Sequence, residues 1–476
     1  MKENFLKWEK KSKIFDITEN DISLWSLIRL DIFEIYSLQD YNFEGLSKRN
    51  KQLKETYNVK NIIKLALNSS FGFLQFLYCS LIRRNNVLSI SWSEKKMKFD
   101  GKYVDLINEK IHNIYDFNIL EFPDNQNNFN HYRNKSSNSY IYGDFLYLME
   151  KLVPSKINFP NISKKTKIIV SQILELLDNK NICQETLESF IFERILRNLK
   201  RLNLLIIFLR VLKPRKIITW SAYSPFNQLL IIIAKKQSIP LYELQHGHIY
   251  PEHIGYFFPT IEIFNKYFID RIFVYNTYYK KVLTNNNWPE ESVIVLGDFT
   301  YRDKLLETIS TEEKDVILKK LPPYKKQIVT IISQHTISDK ISQFLQDSEK
   351  LKDTYFLIKL HPKFVQNQIK DYQLIKNNKN VRIIFNESLN SCISISDVVL
   401  GSYSTGLIDA LIIGECKVCV LPITGSDFFA DLINDKIIEK INKLEDIQCS
   451  NRLIKSHNFL KKFNPDLIVQ ILSSNP

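Results

Sequence analysis

The chain has 476 residues, of which 44% are hydrophobic, 25% charged and 12% aromatic, a composition that excludes a disordered chain. Its 11 glycines and 15 prolines exclude collagen-like and Pro/Gly-rich classes, and six scattered cysteines are too few for a disulfide scaffold, so a reducing, cytoplasmic setting is expected. Lys and Arg number 65 against 52 Asp and Glu, a net charge of +13 that favours anionic partners without choosing among them.

The first sixteen residues, MKENFLKWEKKSKIFD, are charged and contain no apolar core of signal-peptide length. The stretch 62–82 is the best membrane candidate, but Lys64, Asn68, Ser69, Ser70, Gly72 and Gln75 favour a buried or interfacial helix over a spanning one. Val87–Trp92 is rich in β-branched and aromatic residues and reads as a strand. Residues 119–122 read as another strand, followed by an Asn-rich loop over 124–138. From 165 to 212 the pattern is helical until Pro214 stops it. Strand and helix then alternate: strands at Lys216–Trp220, 240–244, 271–275 and 292–296, with a helix at Pro225–Lys236. That spacing predicts βαβ units on a parallel sheet.

A second alternating series follows the polar stretch 301–326. Strands are expected at 327–333, 355–360, 381–385, 397–401 and 417–421, with helices at 338–351 and 405–413. The tail 460–472 has the pattern of a closing helix that Pro465 would break. The expected division is therefore an N-terminal domain over 1–305 and a C-terminal domain over 306–476, the last helix packing back on the first.

Ligands of doubly wound sheets bind beyond the carboxyl ends of the strands, so the residues after each strand are the candidates. The stretch ELQHGHIYPEH, 243–253, holds three of the eight histidines. His246, beside Gly247, suits a general base; a zinc ligand set and a plain polar loop are the competing readings. In IKLHPK, 358–363, a strand ends in His361, Pro362 and Lys363, which would meet an anion at a helix start. In GSYSTG, 401–406, Ser402, Ser404 and Thr405 form a cap and a phosphate cradle, and Asp409 follows within about one helical turn. Ser333 and Gln334 sit at a further strand end. The Walker spacing is absent, which argues against a P-loop ATPase. Cys416 and Cys419 form a lone C-x-x-C and are read as core residues.

Together these turns resemble the two-Rossmann (GT-B) glycosyltransferases of bacterial surface-polysaccharide assembly. The resemblance rests on Gln245, His246 and Gly247, on His361 and Pro362, and on Ser402, Ser404 and Thr405. It points to the superfamily of bacterial sialyltransferases, capsule Kdo transferases and teichoic-acid glycerophosphotransferases. It implies an α/β fold of two Rossmann-like domains facing each other across a cleft, and transfer of a sugar from a nucleotide donor to a glycan or lipid-linked acceptor. His246 would be the base, His361 and Lys363 would neutralise the donor phosphate, and Ser402, Ser404 and Thr405 would bind phosphate. Asp409 or Ser333 would contact the nucleoside, and Gln245, Gly247, His248 and Gln334 would line the substrate site. No divalent metal or other cofactor is implied, and the His-Pro and serine-turn pair is similar to that of enzymes using CMP- or CDP-linked donors. The acidic D/E-D/E-G motif of the sialyltransferases is absent, which leaves His246 as the base. A nucleotide-sugar 2-epimerase and an inactive scaffold of a polysaccharide complex are the alternatives. The basic stretch 194–216 reads first as a buried helix with solvated charges, the alternative being peripheral contact with the inner face of the plasma membrane; no nucleic-acid-binding motif occurs.

Overall fold

The computed structural model describes residues 1–37, 59–82, 86–99, 101–124, 129–132, 138–152, 158–177, 182–300, 309, 311–319, 321, 327–361, 365–413, 416–423, 425–447 and 461–474. It divides into two compact units, the first made of 1–246, 252–300 and 463–476, the second of 247–251 and 301–462.

Unit 1 begins with helix α1 (Lys2–Ser12), whose Glu9 is buried against Arg29 and the indole of Trp25. The long helix α2 (Val59–Leu81) leads into strand β1 (Val87–Trp92), followed by β2 (Asn118–Phe122) and β3 (Ser139–Tyr142). Three helices follow, α3 (Asp144–Leu152), α4 (Phe159–Leu176) and α5 (Gln184–Leu212). Strand β4 (Lys216–Trp220), helix α6 (Pro225–Lys236) and strands β5 (Leu241–Leu244), β6 (Arg271–Val274) and β7 (Val293–Val295) complete the alternating part. The seven strands lie in the order 7-6-5-4-1-2-3, and every pair is parallel. Strand order reverses between β1 and β4, the topological switch of a doubly wound sheet. A buried polar cluster ties down the end of β2: His131 bonds Glu121 at 3.0 Å and Asp144 at 2.6 Å, and Lys96 pairs with Glu121.

Unit 2 repeats the plan with β8 (Gln327–Ile332), β9 (Thr354–Lys359), β10 (Val381–Ile384), β11 (Val398–Gly401), helix α7 (Gly406–Ile413), β12 (Lys417–Val420) and the short β13 (Glu439–Lys440). Its sheet is again all parallel, in the order 10-9-8-11-12-13, with the switch between β8 and β11. Val329, Ile331, Phe356, Ile358, Val398 and Leu400 fill its core. Near-continuous β-branched runs suit strands covered on both faces, which is why both series were legible.

The last helix, α8 (Pro465–Ser473), belongs to unit 1. Pro465 does not break it. It occupies the first turn, where its missing N–H is harmless, and Asn464 caps the Leu467 N–H at 3.1 Å. The expected helix 338–351 is shorter, running from Ser338 to Phe344 before a turn and the 3-10 helix Ser348–Lys350. Two α/β units with doubly wound parallel sheets are the components of the GT-B fold class.

Candidate active site

In unit 1 the chemistry gathers where β4 and β5 end. Glu243 is fully buried, and its Oε1 accepts the Tyr256 hydroxyl at 2.7 Å. Gln245 is buried too: its side-chain oxygen accepts the Tyr275 N–H at 3.0 Å, and its backbone oxygen accepts the Tyr275 hydroxyl at 2.6 Å. This clamp turns the next residue out of the sheet, so that the His246 side chain keeps 20% exposure. His246 Nδ1 lies 3.7 Å from Glu243 Oε1, and Nε2 lies 3.1 Å from the Tyr223 hydroxyl. Among the described residues neither His246 Nδ1 nor the buried Glu243 Oε2 has a hydrogen-bond partner. The Trp220 ring forms one wall, 5.4 Å from the imidazole between centroids.

Burial, and then the charge of His246, push His253 down to about 4, and its Nδ1 accepts the Gly255 N–H at 3.2 Å. His253 is therefore neutral near pH 7. Burial and the Glu243 carboxylate raise the Tyr256 hydroxyl well above its ordinary value, so it stays a neutral donor. The segment carrying these residues is fixed from behind. Arg29, paired with Glu9, donates to the carbonyls of Ile254 at 2.9 Å and Phe257 at 2.7 Å.

In unit 2, Gln334, His335, His361, Tyr403 and Thr405 belong to the ends of β8, β9 and β11, which flank the topological switch. The His335 and His361 rings are 6.5 Å apart, and Thr336 bonds the Tyr403 hydroxyl across the switch. Behind His361, the buried Gln368 donates to its carbonyl at 2.9 Å and accepts its N–H at 3.2 Å. Ser333 is buried, donating to Gln368 at 2.9 Å and accepting from Tyr372 at 2.7 Å, so its hydroxyl positions this turn. Gln334 is half-buried, and its side-chain oxygen has no hydrogen-bond partner among the described residues.

Ser404 accepts the Gly406 N–H at 3.2 Å and caps α7, with Ser402 buried, Thr405 exposed and Asp409 half-buried in the first turn. Gly425 has φ 88, and a Cβ there would stand 2.4 Å from the Tyr403 ring, so only glycine lets Tyr403 take its place. His248 is buried in unit 2, its Nε2 3.2 Å from the Phe428 carbonyl and its ring stacked on Phe429 at 4.8 Å. A Cβ on Gly247 would meet nothing closer than Thr405 Cγ2 at 3.9 Å. Pro362 and Lys363 lie outside the described residues.

The structure thus brings His246 together with Glu243, Tyr223 and Tyr256 in unit 1, and His361 with His335 in unit 2. Gln245, Ser333 and His248 have internal partners that make them supports. Sequence reasoning assigned no role to Glu243, although its E-x-x-H spacing to His246 was a usable signal. Nothing in the sequence pointed to Tyr223, Tyr256 or Gln368. Among the described residues no three His, Cys, Asp or Glu side chains are arranged to hold a metal ion. Cys416 and Cys419 are buried, and burial pushes the Cys419 thiol up to about 12.

No family model matches the chain, and no curated protein is similar to it. Among solved structures it is similar to the UDP-GlcNAc 2-epimerase from Neisseria meningitidis bound to UDP-GlcNAc, at 15% identity and a TM-score of 0.45, over 81% of this chain and 99% of that one. It is also similar to the UDP-GlcNAc 2-epimerase from Methanocaldococcus jannaschii, at 13% identity and a TM-score of 0.43, over 81% of this chain and 99% of that one. A third is the glycosyltransferase SnogD from Streptomyces nogalater, at 11% identity and a TM-score of 0.36, covering 82% of this chain and 95% of that one.

Proposed function

We propose that the protein is a glycosyltransferase that moves a sugar from a nucleotide-linked donor to a glycan or glycolipid acceptor, with His246 as general base. The observation that carries this reading is the His246–Glu243 pair. A half-open imidazole faces a fully buried carboxylate at 3.7 Å, while its Nε2 stands 3.1 Å from a hydroxyl, that of Tyr223. With Nδ1–H turned to Glu243, Nε2 is the nitrogen that takes the proton of an acceptor hydroxyl, and Glu243 stabilises the imidazolium that results. Unit 2 supplies the donor side. The N terminus of α7, capped by Ser404, and the hydroxyl of Thr405 suit a diphosphate or monophosphate, and His361 takes up charge as the nucleotide leaves. On this reading no divalent cation is needed.

A specific observation favours a second reading. Glu243 and His246 place two proton-transfer groups side by side, and an isomerase has to remove a proton from the sugar and return one. Incubating the full chain with CMP-, CDP-, UDP- and GDP-linked sugars, with and without acceptor glycan, distinguishes the two. Nucleotide release that requires acceptor and survives EDTA supports the transferase. An altered sugar formed without acceptor replaces it with the isomerase, and the absence of both binding and turnover defeats both in favour of a scaffold.

A further inference from the structure

Helix α2 is amphipathic in the reverse of the usual sense. Its inward face carries Asn61, Ser69, Gly72, Cys79 and Ser80, all buried, with Phe76 as the one buried large apolar side chain and Leu65 and Leu77 half-buried. Its outward face carries Ile63, Leu67, Leu74, Tyr78 and Leu81, exposed by 55, 65, 61, 47 and 69%, with Phe71 at 46% beside them. The outward positions recur every three or four residues, which puts them on one stripe along the whole helix. A water-facing helix turns its apolar stripe inward, so this stripe is fitted to a surrounding that is not water.

The helix cannot leave the body of unit 1 to cross a bilayer, although by length and composition it is apolar enough to do so. Gly72 lies so close to β3 that a Cβ would stand 2.3 Å from the Tyr142 carbonyl oxygen. The Gln75 side chain accepts the Tyr142 N–H at 3.0 Å, and Asn68 donates to Asp144 at 3.2 Å and to the Phe129 carbonyl at 3.0 Å. These bonds hold the helix lengthwise along the edge of the sheet, about 35 Å of it at 1.5 Å per residue.

The charge around the stripe selects the occupant. Helix α2 contains no Asp or Glu, and Lys60 is exposed at its start. The last turns of α5 meet α2 through the stacked rings of Phe76 and Phe208, 5.2 Å apart. There Ile207 and Val211 are exposed by 54 and 43%, and Arg210, Lys213 and Arg215 are exposed as well. An apolar stripe flanked by cations, on a chain of net charge +13, matches the interface of an anionic bilayer, with leucines among the acyl chains and basic groups at the phosphates.

We propose that α2 is an in-plane membrane-docking helix that seats unit 1 on an anionic lipid surface. The test is co-sedimentation of the full chain with vesicles of phosphatidylcholine plus phosphatidylglycerol, and with vesicles of phosphatidylcholine alone. The native protein should sediment with the anionic vesicles and much less with the neutral ones. The double variant Leu67→Asp/Leu74→Asp, changed only at exposed positions, should keep its melting temperature and lose at least about tenfold in partitioning. Retained sedimentation of the double variant overturns the proposal. So does a native protein that ignores both vesicles; if light scattering then finds a dimer that the same variant dissolves, the face is covered by a second copy. A single Leu74→Trp variant guards against a misfolded double variant: its emission should shift to the blue on adding anionic vesicles, and an unmoved spectrum counts against docking.

Discussion

His246 and His253 stand in one loop, yet burial has already discharged His253, which leaves it no proton to give near neutrality. The same burial makes a prediction about acid. His253 and His112 are both pushed down to about 4, in each case first by burial. The unfolded chain titrates these histidines at about 6.5, so between about pH 6.5 and pH 4 it binds protons that the folded chain refuses. Their contribution to stability is therefore present above about pH 6.5 and lost as pH falls towards 4. Urea unfolding at about pH 7 and about pH 5 should show the loss, and His253→Gln, which keeps an acceptor for Gly255, should flatten it. His131 has the opposite sign. Burial opposes its protonation, but Asp144 and Glu121 outweigh burial and hold its pKa above the ordinary value. Its contribution is full below the unfolded value and declines as pH rises through the folded one. At this scale the sequence placed His246 and His361 just after strands, and the structure has both there, following Leu241–Leu244 and Thr354–Lys359. The sequence could not say that Gln245 and Ser333 point into the protein, since polarity does not report orientation, and orientation there depends on Tyr275 and Tyr372, 30 and 39 residues away.

Two ties join elements that are far apart in the chain. Glu9 on α1 and Arg29 form a buried pair that also holds the carbonyls of Ile254 and Phe257. Arg29→Met leaves Glu9 buried and uncompensated, so it should destabilise the protein by about 3–5 kcal/mol in urea unfolding and lower turnover by loosening the segment that carries Tyr256. Lys216, buried at the start of β4, donates to the carbonyls of Ile471 at 2.6 Å, Leu472 at 3.0 Å and Ser474 at 2.5 Å, at the C-terminal end of α8. Burial, and then Arg271, hold its pKa below the ordinary lysine value. The ammonium satisfies carbonyls that the helix leaves open and meets the negative end of its dipole. Lys216→Met should cost about 2 kcal/mol and expose α8 to limited proteolysis; equal digestion rates would remove this role. The strands of both sheets were legible as runs of Ile, Val and Leu. Strands β3 and β13 were not: SYIY is four residues at one sheet's edge after an Asn-rich stretch, and Glu439–Lys440 is two residues at the edge of the other. Helix α2 was recognised as apolar, but which face it buries is decided by Tyr142 and Asp144, which only the fold brings to it.

The whole molecule is one plan used twice, a parallel sheet wound in both directions from a central switch, with candidate side chains at the carboxyl ends of the strands in both units. That repetition was readable from the alternation of strand and helix on either side of 301–326. The assignment of 247–251 to unit 2 was not, since it depends on Phe428 and Phe429, some 180 residues later. On the proposed function the units divide the labour, proton transfer in unit 1 and phosphate binding in unit 2. The most direct measurement sets turnover beside nucleotide calorimetry for His246→Ala and His361→Ala. His246→Ala should lower kcat by about 10²–10⁴-fold with Kd for the nucleotide within about twofold of native, and His361→Ala should weaken nucleotide binding by about tenfold or more. Equal, small effects of the two substitutions, or full turnover without His246, would contradict this division.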